Sequence, residues 1–303
     1  MAAVDSFHLL FAEISRSCSV YYEALALVGA AYVVSKAVVL LRDCCALVRV
    51  HLLPRVMPRK KLSQRFGAWA VVYGAWEPAV EAYAEELARN GISIVFVAPS
   101  QASVRDAAES LTQNYGVETV VVLADLSLDR AAEKPVGEAL RGRDVGFLVS
   151  GVGESRESPP DLLDLLGRDV AGPTLMARLV LPGMAERGRG AVVNIRPGGR
   201  AAALTAAAGY VDALSRALQL QYGSRGIVVQ TLTPLQISSS RDQRWTESWL
   251  APRPEVYARH AVSTLGVCSR TTGYWPHTLQ LGLISCIPDW IWLLGSRVFV
   301  SSS

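Results

Sequence analysis

From Trp69 onward the chain alternates short apolar, β-branched runs with stretches of helical periodicity, and few architectures accommodate that order. The runs are AVVYGA (70–75), SIVFVA (93–98), TVVVLA (119–124), VGFLVS (145–150), AVVNI (191–195) and IVVQTLT (227–233). Between the first two, Val80, Ala84, Leu87 and Ala88 repeat at helical spacing and Gly91 supplies a stop. After the second, Val104, Ala108, Leu111 and Tyr115 repeat in the same way. Strands joined by crossover helices predict an α/β fold, a doubly wound parallel sheet of Rossmann type in one domain. No internal repeat or long low-complexity tract competes with that reading.

The 303 residues suffice for such a domain with attached segments, and the predicted boundaries are 1–66, 67–275 and 276–303. Half of the residues are apolar (50%) and only 19% are charged, which points to membrane contact or a partner surface. A net charge of +3 is too small to make nucleic acid the main ligand. The five cysteines, Cys18, Cys44, Cys45, Cys268 and Cys286, are odd in number and leave 46–267 empty, so a disulfide-framed secreted domain is not expected. Without a CxxC pair, and with His8, His51, His260 and His277 scattered, no metal site is expected either.

Residues Ala24 to Leu41, ALALVGAAYVVSKAVVLL, are apolar apart from Lys36 and approach the length of a membrane span. From Arg42 to Arg65 seven basic residues face one acid, Asp43, the bias of a cytosolic or matrix-facing flank. A helix packed on the domain or on a partner is the alternative. Asp5 and Glu13 argue against a cleaved secretory leader, and with Glu23 against a consensus transit peptide. The segment LGLISCIPDWIWLLGSRVFV (281–300), interrupted by Pro288 and Asp289, fits membrane-surface contact better than a span; a hydrophobic lid over the domain is the other reading.

In a doubly wound sheet the first strand-to-helix turn holds dinucleotide phosphates, and side chains there block their approach to the helix N-terminus. Here the turn reads Tyr73-Gly74-Ala75-Trp76-Glu77-Pro78-Ala79-Val80. Of the glycines in a TGxxxGxG loop only Gly74 survives. Pro78 lacks an N–H, Val80 brings a branched side chain to a place of close approach, and Glu77 adds negative charge beside the phosphates. The second strand ends Ala98-Pro99-Ser100, without the acid or base that selects NAD or NADP. Asp125, after the third strand, faces an adenine edge or serves as an ordinary turn residue.

The stretches WAVVYGA, AYAEELARNG, VLADLS, LVLPGMAERGRGAVVNI, YVDALSRALQLQYGSRGIVVQTLTP and HAVSTLGVCSRTTGYWPH resemble the short-chain dehydrogenase/reductase family, in particular its 17-beta-hydroxysteroid dehydrogenase type 3 group. The resemblance covers most of the chain and implies which positions should carry chemistry. The NNAG motif aligns with Ser150-Gly151-Val152-Gly153, the helix asparagine with Asp169, and the substrate-orienting serine with Arg196-Pro197, in a loop several residues shorter than the family pattern. The YxxxK pair aligns with Leu204 and Ala208. In the family the tyrosine transfers the substrate proton, while the lysine lowers its pKa and holds the ribose. Leucine has no transferable proton, and alanine carries no charge. Even an inactive branch of the group is expected to keep the lysine. The literal YxxxK match at Tyr32 to Lys36 lies before any strand of the sheet, and Tyr210 reads as packing rather than as a displaced catalytic tyrosine.

These readings predict an inactive member of the family that binds or scaffolds at a membrane or in mitochondria. No cofactor is expected, NADP being the one implied if any binds. The alternatives are an NADP-dependent oxidoreductase of steroids or 3-oxoacyl thioesters, and a lipid-binding module using the old substrate cleft. A protein partner or lipid, contact with a membrane surface and a homodimer through the helix after Thr205 are the partners implied, with no nucleic acid. Resemblance to the inactive branch implies mitochondria; the wider group and the apolar helix imply the endoplasmic reticulum membrane.

Overall fold

The computed structural model describes residues 2–56, 61–75, 77–101, 104–124, 133–151, 166–196, 202–238 and 248–286. The chain divides into two compact units, Met1–Val48 with Leu281–Ser303, and Arg49–Gln280. The first contains α1 (Ala2–Leu47), one unbroken helix much longer than the apolar run that announced it. Within it Tyr21, Leu25, Leu27, Val33 and Leu41 are all exposed. A stretch of 32 residues, Tyr21–Leu52, is long and apolar enough to cross a membrane, and its most apolar part is unburied.

The larger unit is built on β1 (Trp69–Tyr73), α2 (Pro78–Arg89), β2 (Ser93–Ala98), α3 (Arg105–Tyr115), β3 (Thr119–Leu123), α4 (Glu133–Leu140), β4 (Val145–Gly151), α5 (Gly172–Arg187), β5 (Gly190–Ile195), α6 (Ala202–Tyr222), β6 (Ile227–Leu232), α7 (Pro254–Ser263), β7 (Arg270–Thr271) and the first part of α8 (Trp275–Cys286). The strands form one parallel sheet in the order β3-β2-β1-β4-β5-β6-β7. Six lie where their apolar runs predict them. The seventh has only two residues, Arg270 and Thr271, beside Thr231 and Leu232, too short to show any sequence period.

Because successive side chains on a strand point to opposite faces, the sheet feeds two cores. Val72, Phe96, Phe147 and Val193 meet Tyr83 and Leu87 of α2 and Tyr257 and Ala261 of α7. On the other face Val71, Val95, Leu148 and Val192 meet Val136 of α4, Met176, Val180 and Met184 of α5, and Leu218 of α6. Strands β4 and β5 are buried along their whole length, the condition of central parallel strands covered on both faces.

The first core contains an uncompensated feature. The hydroxyls of Tyr83 and Tyr257 are buried and make no hydrogen bond among the described residues, and desolvation holds both phenols well above their usual ionisation range. A buried unpaired hydroxyl costs about 1–3 kcal/mol. Tyr83→Phe and Tyr257→Phe are therefore expected to raise stability by up to about 1 kcal/mol each in urea unfolding. A loss of that size would show that the hydroxyls are satisfied.

Candidate functional site

Sheet order reverses between β1 and β4, whose successors leave in opposite directions, and a crevice opens outside the carboxyl ends of the strands at such a point. Tyr73 of β1 lies beside Ser150 of β4, and Ser150 beside Asn194 of β5. The structure thus brings together the first turn with Gly74, Pro78 and Val80, the strand end with Ser150 and Gly151, and the strand end with Arg196. Asp169 stands in a π-helical turn, Gly167–Ala171, leading into α5. Pro99 is exposed at the end of β2. Asp125, Val152, Gly153 and Pro197 lie outside the described residues, and of Leu204 only the backbone, within α6, is described.

The first turn is closed by its own residues. Gly74 has φ +93°, and a Cβ there would stand 2.8 Å from the Gly151 carbonyl oxygen, so only glycine fits. Glu77 occupies the N-cap without a side-chain cap bond, and Pro78 begins the helix without an N–H. The N–H groups of Val80 and Glu81 both donate to the Glu77 carbonyl, at 2.9 and 3.0 Å. Val80 is fully buried, and its Cγ2 occupies the space that a side chain on Gly151 would need. The helix and β4 therefore meet through an isopropyl group.

Beneath this turn lies a link that the sequence did not disclose. The Tyr73 hydroxyl donates to the Arg168 carbonyl at 2.9 Å, tying β1 to the π-helical turn. Its ring lies so close to Gly172 that a Cβ there would come within 2.6 Å of Cζ. In the same turn the fully buried Asp169 carboxylate lies 3.1 Å from the Arg168 guanidinium. Ser150 Oγ is buried and makes no hydrogen bond among the described residues.

On α6, Ala208, the residue that the resemblance sets at the family's lysine, is buried beside Ala207 and Val211. It supplies neither a charge nor a proton. Tyr210 donates to or accepts from Thr174 of α5 at 2.7 Å, which places it in helix–helix packing. One turn beyond Ala208 on α6, the Asp212 carboxylate is held by Arg196 at the end of β5 and Arg270 of β7, each at 3.2 Å. Sequence reasoning missed this trio because its members are far apart in the chain. Among the described residues no group of three or more His, Cys, Asp and Glu side chains is placed to hold a metal.

His277 braces the segment beyond β6. The fully buried ring accepts a hydrogen bond from the Leu235 N–H on Nδ1 at 3.3 Å and donates from Nε2 to the Leu250 carbonyl at 3.1 Å. Burial lowers its pKa from the ordinary 6.5. The neutral ring's contribution is thus complete above that ordinary value and is lost as pH falls through it toward the lowered folded value. Thermal unfolding is expected at lower temperature at pH 5.5 than at pH 7.5, with the gap narrowed in His277→Gln. An unchanged gap in the variant would contradict this assignment.

The residues described do not fit a nicotinamide dinucleotide. A phosphate approaching the helix would meet a missing donor at Pro78, the Val80 N–H already bonded to the Glu77 carbonyl, and the negative charge of Glu77. The packing behind this can be tested directly. Gly151→Ala is expected to cost about 1–3 kcal/mol by overpacking and Val80→Ala about 2 kcal/mol by leaving a cavity. In the double variant the two losses should partly cancel in chemical unfolding. Strict additivity would place Val80 away from Gly151.

Residues 68–248 match the family model of the short chain dehydrogenases. Over 319 residues, and all of both chains, the sequence is 46% identical to the inactive hydroxysteroid dehydrogenase-like protein 1 of Danio rerio. It is 33% identical to the very-long-chain 3-oxoacyl-CoA reductase of Anas platyrhynchos, covering 76% of this chain and 79% of the other. Among solved structures, a short-chain dehydrogenase from Sphingobium yanoikuyae in complex with NADPH has a TM-score of 0.58 at 23% identity, covering 78% of this chain and 95% of that one. At that identity the likeness speaks for the fold alone.

Proposed function

The chain belongs to the short-chain dehydrogenase family, and from that premise we propose that it is a non-catalytic member, a binding or scaffold protein held at a membrane. The observation that supports this reading is the first turn, where Pro78 removes a donor N–H, Glu77 brings a negative charge to the N-cap and the buried Val80 fills the helix–strand contact, in place of the glycines of a phosphate-binding loop. Two further losses support it. Ala208 cannot lower a proton donor's pKa or hold a ribose, and Leu204 has no proton to give. The curated relative from Danio rerio carries the word inactive in its name, and we extend that description to this chain.

Membrane attachment draws its support from the stretch Tyr21–Leu52, apolar and exposed, followed by a basic flank. A mitochondrial membrane is the location we favour, the endoplasmic reticulum the alternative; fractionation of cells expressing the tagged chain distinguishes them. A protein or lipid is the ligand class this reading implies.

The test is turnover. Purified full-length protein, offered steroid ketones and alcohols and 3-oxoacyl thioesters with NADPH, NADH and their oxidised forms, is expected to show no rate above a heat-killed control. Restoring the proton-transfer pair alone, Leu204→Tyr with Ala208→Lys, is expected to leave turnover absent, since the first turn still excludes the cofactor. Turnover by the unaltered chain would overturn the proposal.

A further inference from the structure

Cys44 and Cys45 are adjacent free thiols, both exposed, in the last turn of α1. They follow the apolar run that ends at Leu41 by three and four residues. At 1.5 Å per residue, that is about 5–6 Å beyond its end. An 18-residue run is about 27 Å long, close to the hydrocarbon thickness of a bilayer. If the run crosses, both thiols stand at the headgroup boundary. They also stand on the basic side, with Arg42 before them and Arg49, Arg55, Arg59, Lys60, Lys61 and Arg65 following in sequence.

Several ordinary fates of a cysteine pair do not fit. Neighbouring Cα atoms are about 3.8 Å apart, short of the about 4.4–6.8 Å that disulfides span, and helical geometry points the two side chains about 100° apart. No cluster of metal-ligating side chains includes them among the described residues. Unlike core cysteines, both are exposed. What the position offers is access to long-chain acyl donors, which are amphipathic anions that concentrate at a basic membrane surface.

We propose that Cys44 and Cys45 are sites of S-acylation by long-chain acyl-coenzyme A, giving the apolar helix a second anchor. Each thiol sulfur forms a bond to the acyl carbonyl carbon while the donor's carbon–sulfur bond breaks. The thiol proton passes to the released coenzyme A thiolate, and nothing is oxidised or reduced. The proposal rests on the membrane reading of α1.

The experiment is hydroxylamine-dependent mass-tag exchange on the full-length chain expressed in a eukaryotic cell, with carbonate extraction of the same membranes. Two tagged increments are expected in the unaltered chain, one in each of Cys44→Ser and Cys45→Ser, and none in the double variant. Both positions are exposed, so the double variant should keep the thermal unfolding of the parent. A chain that resists carbonate yet shows no increment overturns acylation and leaves the span standing; one that is released and unmodified overturns both. Modification of a carbonate-released chain keeps acylation and refutes the span. Increments that survive in the double variant place the acyl groups elsewhere and overturn the assignment.

Discussion

The contact on which the candidate site depends is the approach of the first helical turn of α2 to the end of β4. Gly74 and Gly151 let two backbone segments come within reach of each other, and Val80 fills what space is left. In a nucleotide-binding turn a glycine at that position lets helix and strand pack closely. Here the contact is part of the hydrophobic core, Val80 being as buried as the central strands. The departure from the glycine-rich loop is therefore also one that stabilises the sheet–helix packing.

The same economy holds at the other ends of the sheet. Tyr73 binds the π-helical turn through its hydroxyl, and Gly172 makes room for its ring. Ala208 is buried on α6, and Asp212 is held between Arg196 and Arg270. These interactions are structural. Among the described residues, the Tyr73 hydroxyl and the Asp212 carboxylate are both engaged by partners within the fold, which is what the proposed non-catalytic reading rests on at this end of the sheet.

Much of the fold was legible because parallel strands buried on both faces must be continuous and apolar. SIVFVA ended where its run ended, and the other five long strands differed from theirs by a residue or two. Helix α2 begins at Pro78 rather than at the first periodic residue, Val80, because proline is well placed in a first turn. Strand β7 was invisible, being two residues long. Helix α1 reaches from Ala2 to Leu47 although only its apolar middle stood out. For the site, Gly74, Pro78 and Val80 could be placed from a local turn alone. The Tyr73 to Arg168 bond joins residues 95 positions apart, and the Asp212 trio joins three elements, so neither left a local signal.

The central claim is that the first turn no longer admits a dinucleotide, and calorimetric titration of the purified full-length chain with NADPH and with NADH tests it most directly. The account predicts no saturable heat at cofactor concentrations up to about 1 mM, an affinity weaker than about −4 kcal/mol. A saturable isotherm in the micromolar range for either cofactor would contradict it.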